Sequence, residues 1–357
     1  MSLSKFPIQK IPLLPLEKIY ENLQFDDFLN LSQCSKRMKN CLVSLERTSR
    51  NEVTCRVTIL ADERQIQLKR KGWENFAISS QDASRYPTMD PNTLIDRAID
   101  GTTYTFSLCR WTDRWIEWGI NDEHFLSWVR YFRNVFNCRI ARLELPLGET
   151  ISSMNFERLF VQTEILRKAD VITVARREIR EEELSFILDN FEAEILEIKG
   201  PTRHRYRHPS VISRFRQIHL PRAVWLTFDD LWAMIESGTC KKMSFGCLEV
   251  TNVLINEFLK KWLNSDNRTL EALLLTHSSW KSLQYDNIFN GIDTLPGAEK
   301  RLEAAEHHND IFVINAAYKR GFDIKRGDGV LATVNIVNDY YRAGFYFTVW
   351  YNPNPNV

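Results

Sequence analysis

The chain has 357 residues, of which 44% are hydrophobic and 26% are charged. These proportions exclude a mostly disordered chain, and the length is sufficient for two or three domains. The 47 basic and 46 acidic residues give a formal net charge of +1, which excludes a global electrostatic attraction to nucleic acid or to an acidic membrane.

Signals for membrane insertion and secretion are absent from the sequence. It contains no apolar run long enough for a spanning helix, and its N-terminus has neither the apolar core nor the cleavage site of a signal peptide. Seven cysteines are scattered without a C-x-x-C pair, so we expect reduced thiols rather than a disulfide framework or a zinc site. A cytoplasmic and/or nuclear protein is therefore expected.

Residues 6–47 are predicted to form short helices. Pro12 and Pro15 open the first, whose apolar residues recur at helical spacing. Asp26 and Asp27 offer an N-cap and first-turn charge to the second, and the third begins at Ser35. A unit of about 40 residues buries too little apolar surface to be stable alone, so these helices need a partner or a neighbouring domain.

Residues 52–118 are predicted to be rich in β-structure because apolar and polar residues alternate along them. The alternating apolar positions include Val53, Cys55, Val57, Ile59, Ile66, Leu68, Tyr104, Phe106, Leu108, Trp115 and Trp118. The stretch over 79–97 is polar and contains proline, which predicts a loop.

Residues 121–280 alternate helices with short strands. Helices are predicted over 122–137, 181–191, 227–235 and 253–263, and the third has an N-cap threonine, Thr227, with Asp230 three residues later. Six strands begin at intervals of 22 to 30 residues. They are Leu143-Glu144-Leu145, Ile172-Thr173-Val174, Leu196-Glu197-Ile198, Ile218-His219-Leu220, Met243-Ser244-Phe245 and Leu273-Leu274-Leu275.

A strand and a helix repeated at this interval are typical of leucine-rich-repeat-like arrays, in which stacked neighbours supply the core. A non-repetitive α/β domain is the alternative. In an array the middle residue of each strand points to the open face of the sheet, and we predict that these residues bind a protein substrate. They are Glu144, Thr173, Glu197, His219, Ser244 and Leu274.

The C-terminal region is predicted to end in an antiparallel β meander. Alternating runs flank the turn Gly327-Asp328-Gly329, which is a strong hairpin signal. A further alternating run contains Phe345, Phe347 and Val349. We expect the meander to cap the array.

Motifs of catalysis are missing from the sequence. It has no phosphate-binding loop, no dinucleotide-binding glycine motif, no zinc-protease motif and no nucleophile elbow. We therefore expect no catalytic residue, no metal and no cofactor. An unrecognised hydrolase or transferase would need a pocket that holds a nucleophile–base pair or perturbed carboxylates.

The N-terminal segment resembles the F-box, and the rest of the chain resembles the nematode-expanded F-box family with a type-2 F-box-associated domain. The F-box positions are Ile11-Pro12, Leu16, Ile19, Leu23, Asp26-Asp27-Phe28, Leu31-Ser32 and Cys34-Ser35-Lys36-Arg37. The other matching stretches are 128–138, 256–263 with Leu270-Glu271, and 323–333. Two departures are Leu13-Leu14 in place of the usual acidic pair and Met38 in place of the common tryptophan, and methionine can fill the same apolar gap.

The resemblance implies a multi-domain α/β chain without catalytic activity. Its parts would be a three-helix F-box at 6–50, a β-rich connector at 51–120 and a leucine-rich-repeat-like substrate-binding domain at 121–350. F-box proteins bind a Skp-family adaptor and, through it, a cullin, so the chain would select proteins for ubiquitination in an SCF-type ligase. The residues expected to bind the adaptor are Pro12, Leu16, Ile19, Leu23, Phe28, Leu31, Ser32 and Arg37.

The exposed apolar surface of such a small helical unit suits an adaptor groove. An alternative is a scaffold that binds the adaptor but delivers no substrate for degradation. Neither function includes a nucleic acid or a membrane as partner.

Overall fold

The structure is a computed structural model of the chain. It describes residues 18, 23, 25–34, 36–48, 53–59, 63–70, 76–81, 94–99, 102–109, 114–118, 122–145, 164–174, 181–199, 215–221, 223, 227–246, 250–277, 283–295, 321–338 and 343–351. The chain forms two compact units, Met1–Asp170 and Val171–Val357. That boundary lies inside the predicted 121–350 domain, and the functional division at 50 and 120 stays a prediction.

The first unit combines helices with a mixed sheet. Its elements are α1 (Phe25–Cys34), α2 (Lys36–Thr48), β1 (Thr54–Ile59), β2 (Glu63–Lys69), β3 (Phe76–Gln81), β4 (Leu94–Ile99), β5 (Thr102–Cys109), β6 (Arg114–Trp118), α3 (Asp122–Phe136), β7 (Arg139–Leu145) and α4 (Glu164–Arg167). The strand order is β7-β1-β2-β3-β6-β5-β4. The β1–β7 and β3–β6 pairs are parallel and the others are antiparallel.

An aromatic cluster forms the centre of the first unit. Phe25 of α1 stacks on Phe76 of β3, with ring centroids 3.5 Å apart, and also lies 5.5 Å from Phe136 of α3. Phe28 of α1 lies 4.6 Å from Phe136. Met38 of α2 is buried, as its predicted packing role requires. The two N-terminal helices therefore share a core with the sheet and α3.

Two local predictions for the first unit were wrong in part, and residues 82–93 of the predicted 79–97 loop lie outside the described residues. Helix α1 begins at Phe25, so Asp26 and Asp27 lie in its first turn instead of one of them preceding it as the N-cap. The predicted loop over 79–97 ends in strand at both sides, because β3 extends to Gln81 and β4 begins at Leu94. Every residue of β3 is buried, including Ser79 and Ser80, so its polar residues face the interior rather than solvent.

The boundary between the units falls within β8 (Lys168–Val174). The following elements are α5 (Glu181–Asn190), β9 (Glu192–Ile198), β10 (Gln217–Leu220), α6 (Phe228–Glu236), β11 (Lys242–Gly246), α7 (Asn252–Leu263), β12 (Ala272–His277), α8 (Tyr285–Ile288), β13 (Gly321–Lys325), β14 (Leu331–Asn338) and β15 (Ala343–Trp350). In the second unit the order is β8-β9-β10-β11-β12-β15-β14-β13.

Strands β9 to β12 of the second unit are parallel, and each pairs with the next along the chain. The last three strands form the predicted antiparallel meander, with the β13–β14 hairpin turning at Gly327-Asp328-Gly329. Gly329 has a φ of +91°, a conformation that favours glycine. The six predicted short strands lie within β7 to β12, so the alternation of apolar residues located them correctly.

Helices α6 and α7 begin within one residue of the predicted positions. The Thr227 hydroxyl accepts a hydrogen bond from the Asp230 N–H at 3.2 Å, and the Asp230 carboxylate accepts one from the Thr227 N–H at 3.2 Å. This reciprocal capping box satisfies two backbone donors at the start of α6. Thr251 caps α7 through the Leu254 N–H at 3.1 Å. Both helices bury one apolar face in the second unit.

Candidate functional site: the N-terminal helices and the second-unit row

The N-terminal helices bury two of the residues predicted to bind an adaptor. Phe28 is 0% exposed and Ser32 is 4% exposed. The Ser32 hydroxyl donates to the Leu29 carbonyl at 2.6 Å and lies 2.6 Å from the Tyr131 hydroxyl of α3. Both side chains are thus occupied inside the first unit, and in this structure they offer no surface to a second chain.

The remaining predicted adaptor residues are more accessible or lie outside the described residues. Leu23 and Leu31 are each half-buried. Pro12, Leu16 and Ile19 lie outside the described residues, as does the side chain of Arg37 on α2. Elsewhere on α2, the Lys39 ammonium lies 4.8 Å from the centre of the Tyr131 ring, which adds a cation–π contact between α2 and α3.

In the second unit the predicted middle residues form a continuous row across the parallel strands. His219 pairs with Glu197 on one side and with Ser244 on the other, and Ser244 pairs with Leu274. The Thr173 hydroxyl donates to the Glu197 carboxylate at 3.0 Å. We call Thr173, Glu197, His219, Ser244 and Leu274 the second-unit row. The middle residues of β9 to β12 therefore lie opposite one another in the sheet.

The expectation that this row faces open solvent was wrong for four of its members. Thr173, Glu197, Ser244 and Leu274 are 0%, 7%, 2% and 9% exposed, and only His219 is half-buried. Neighbouring strands lie about 4.8 Å apart, close enough for side chains on the same face to bond to one another. The row therefore satisfies its polar groups laterally, through Thr173–Glu197 and His219–Ser244.

Glu144, the remaining predicted substrate-binding residue, lies in the first unit. It is half-buried on β7, where its carboxylate pairs with the Arg56 guanidinium and accepts a hydrogen bond from the Thr58 hydroxyl at 3.4 Å. Its charge is thus already matched by a strand neighbour.

The His219–Ser244 contact resembles a base and a nucleophile, because Nδ1 and Oγ are 2.8 Å apart. Burial lowers the pKa of His219, against an opposing effect of the Glu197 charge, so the ring is predominantly neutral near pH 7. Ser244 is 2% exposed, however, and a substrate carbonyl cannot reach its hydroxyl in this arrangement. The pair is suited to holding two strands together rather than to acyl transfer.

Two of the buried cysteines, Cys55 and Cys240, lack the features of reactive thiols. Cys55 and Cys138 are buried neighbours in the first unit, and their mutual hydrogen bond together with burial raises the pKa of Cys55. Burial raises the pKa of Cys240 to about 12. Raised pKa values keep the Cys55 and Cys240 thiols protonated and inert. Among the described residues no cluster of three or more His, Cys, Asp or Glu could hold a metal ion, and no helix is long and apolar enough to cross a membrane.

Sequence analysis missed one residue that extends the second-unit row. Tyr346 of β15 pairs with Leu274 and packs against Leu274 and Ala272 in a small apolar cluster. The signal was present, because inward-facing Phe345 and Phe347 place Tyr346 on the opposite face of the strand. What the sequence did not reveal is that β15 returns to pair with β12.

Two protein-family models match this chain, one over the N-terminal helices and one over a stretch that contains parallel strands of the second unit. The F-box domain matches residues 8–50, and the domain described as F-box associated matches residues 208–275. An uncharacterized protein of Caenorhabditis elegans is 24% identical over 377 aligned positions, which cover 97% of this chain and 78% of that protein. No solved structure matches the chain. The chain therefore carries an F-box domain followed by an F-box-associated domain, and the resemblance to nematode-type F-box proteins is confirmed.

Proposed function

We propose that this protein is the substrate-recognition subunit of an SCF-type ubiquitin ligase. Its F-box would bind a Skp-family adaptor and, through it, a cullin, and its C-terminal part would bind a protein substrate for ubiquitination. The observation that carries the proposal is the F-box match over residues 8–50, which includes both α1 and α2. Such a subunit works in the cytoplasm or the nucleus and needs no catalytic residue of its own.

The adaptor surface that we propose consists of Pro12, Leu16, Ile19, Leu23, Leu31 and Arg37. The buried Phe28 and Ser32 contribute indirectly, because they hold α1 against α3 and so fix the direction of its outer face. Leu31 is half-buried next to Ser32, and neighbouring Asn30 is exposed. An adaptor groove that covers Leu31 would add apolar burial at little entropic cost, because the helix is already ordered.

Co-purification with a Skp-family adaptor tests this surface. The paired substitution Leu16→Asp and Ile19→Asp places two carboxylates where we propose apolar contact, and we expect adaptor recovery to be lost. Leu94→Asp is the matched control, because Leu94 is 45% exposed on β4 of the same unit and lies outside the F-box match. Equal adaptor recovery by the wild type and the paired variant would refute the proposed surface.

For the substrate-binding part we propose an irregular leucine-rich-repeat-like array made by the parallel strands and the helices between them. Support comes from the sequential pairing of β9 to β12 and from α6 and α7, which connect successive strands of that series. The second-unit row would contact a substrate mainly through His219, because His219 is half-buried whereas the other four members are buried. Glu144 would be the first-unit contributor to substrate binding.

Ubiquitin transfer distinguishes a degradation receptor from an adaptor-binding scaffold. In a reconstituted ligase that contains adaptor and cullin, proteins captured by the full chain should become ubiquitinated. Capture without transfer, together with normal adaptor binding, would favour the scaffold.

A further inference from the structure

Two lysines lie on the face of β9 to β11 that carries the second-unit row. Lys242 is on β11, two residues before Ser244, and therefore on the same face of the sheet. Lys199 follows β9, and its N–H still donates to the Val174 carbonyl of β8 at 2.8 Å. The backbone thus continues in the sheet and places Lys199 on the face of Glu197. Lys199 is exposed and Lys242 is half-buried.

The two lysines lie on either side of His219, which pairs with Glu197 on one strand and Ser244 on the other. Lys199 is displaced from His219 by one strand and by two residues toward the carboxyl ends of the strands. Lys242 is displaced by one strand in the other direction and by two residues toward the amino ends. With strands about 4.8 Å apart and a rise of about 3.3 Å per residue, each lysine Cα lies about 8 Å from that of His219. We call Lys199, His219 and Lys242 the lysine diagonal.

The accessible charge at the lysine diagonal is positive. Burial lowers the pKa of His219 and the charge of Lys199 lowers it further, so the ammonium lies close to the ring. Lys199 makes no ion pair with the described residues. Glu197 is the carboxylate on this face of the described β9 to β11, but it is 7% exposed and already accepts a hydrogen bond from Thr173. Its charge is therefore withdrawn from the surface that a ligand would meet.

The sequence around the lysine diagonal has the same sign of charge. Residues 198–228 contain seven Lys or Arg and no Asp or Glu, although the whole chain has a net charge of only +1. Glu192 and Glu194 of β9 are exposed, but the two-residue period of the strand puts them on the opposite face from Glu197. A ligand that complements this face therefore carries negative charge.

An acidic peptide suits this face better than a nucleic acid does. Single-stranded nucleic acids bind through a basic groove together with aromatic side chains on which the bases stack. Among the described residues, the neighbours of the two lysines on this face of β9 to β11 include Ile195, Gln217 and Ser244, and none is Phe, Tyr or Trp. Gln217 is half-buried between Ile195 and Lys242, and its amide can both donate to and accept from a peptide backbone.

We propose that the lysine diagonal docks an acidic segment of a protein substrate, in which two Asp or Glu side chains lie about five residues apart. The Cα atoms of Lys199 and Lys242 are about 16 Å apart, and five residues of extended chain span that distance. Each carboxylate would pair with one ammonium. An ammonium has three N–H donors, so it can bind a carboxylate in addition to a hydrogen bond that it already makes. This inference rests on the proposed function, because it names the chemistry of the substrate.

Selection from a displayed library of random peptides against the purified full chain tests the inference. We expect enriched peptides to carry at least two Asp or Glu residues, spaced by about five positions. Lys199→Glu combined with Lys242→Glu turns both attractions into repulsions and should weaken binding of these peptides about tenfold or more. Lys199→Gln combined with Lys242→Gln removes the attractions without adding repulsion, so it should weaken binding less.

The matched control is Lys260→Glu combined with Lys325→Glu. Both lysines are exposed in the second unit, on α7 and β13, and this pair changes the net charge by the same amount as the test variant. We expect the control to bind the selected peptides nearly as the wild type does. Equal weakening by the two pairs would reveal a general charge effect and would overturn the inference.

The other outcomes also decide the inference. A library without binders, enriched peptides without paired acidic residues, or normal peptide binding by both lysine variants would overturn it. Tighter binding of a short single-stranded RNA than of the peptides, lost in the same variants, would assign the lysine diagonal to nucleic acid instead. Circular dichroism confirms folding, and the glutamine variant replaces the glutamate variant if the latter unfolds. Adaptor co-purification is measured on the same variants, so failed peptide binding with intact adaptor binding overturns this inference and leaves the proposed function standing.

Discussion

The two units organise their strands differently. In the first, β1 pairs in parallel with β7, although Thr58 and its partner Glu144 lie far apart in the chain. In the second, each strand from β9 to β12 pairs with the next one along the chain. The first unit thus depends on long-range contacts that must form together, whereas the second can be built step by step. The F-box helices α1 and α2 also depend on long-range contacts, because both contact Tyr131 of α3.

The strongest test of this comparison is Phe28→Ala. Phe28 is fully buried against Phe136, so its truncation leaves a cavity between α1 and α3 and should lower the free energy of unfolding by about 3–5 kcal/mol. Denaturant unfolding should show this loss in the transition of the first unit, while that of the second unit stays in place. Leu31→Ala, at a half-buried position on the same helix, is the control and should cost less. An unchanged first transition for Phe28→Ala would mean that the F-box helices are independent of that core.

Gly246→Ala tests the close approach of β11 to Pro221, the residue that follows β10, in the second unit. A Cβ at Gly246 would lie 1.8 Å from the Pro221 carbonyl oxygen, a backbone atom that cannot rotate away. Relieving this overlap requires a backbone shift, for which we expect a loss of about 1–3 kcal/mol in the second transition. Gly327→Ala is the matched control, because a Cβ there meets nothing within 4 Å. Equal stability of the two variants would show that the β10–β11 segment tolerates movement.

The contrast between the units also explains what the sequence could predict. Helix α6 and the strand that contains His219 depend on local signals, namely a capping box and alternating apolar residues, and both were located correctly. The buried strand β3 was missed because Ser79 and Ser80 look like loop residues in the sequence, and their burial between β2 and β6 is evident only in the folded sheet. The burial of Phe28 and Ser32 was missed for the same reason, since Phe136 and Tyr131 come from a helix about 100 residues away.

Thr227→Ala sharpens the comparison by removing a purely local interaction. Without the hydroxyl the Asp230 N–H loses its cap, and we expect a loss of about 1 kcal/mol confined to the second transition. Asp229→Ala removes a first-turn charge from the same helix without touching the cap, so it should cost less. A larger loss for Asp229→Ala than for Thr227→Ala would show that helix-dipole interactions outweigh the capping box in α6.

The smallest expected effect is a pH dependence that originates in the second-unit row. Burial lowers the pKa of His219 in the folded chain, whereas an unfolded histidine titrates near pH 6.5. Between these two pKa values the unfolded chain binds more protons, so His219 makes stability rise with pH up to about 6.5 and fall as the pH drops below it. Replacing the ring by an amide removes this contribution. The difference in unfolding free energy between the wild type and His219→Gln should therefore shift against the wild type as the pH is lowered from 7 to 5.

Ser244→Ala separates titration from hydrogen bonding in this measurement. It removes the 2.8 Å contact to His219 but introduces no titratable group and leaves the ring in place. Its stability should be lower than that of the wild type at every pH, while its dependence on pH follows the wild type more closely than His219→Gln does. Glu197 and Lys199 also act on His219, with Glu197 raising and Lys199 lowering its pKa, and both remain unchanged in the two variants. Equal pH dependence of His219→Gln and the wild type would contradict this prediction. It would mean that the His219 ring is as hydrated in the folded second-unit row as in the unfolded chain, so that burial beside Ser244 does not lower its pKa.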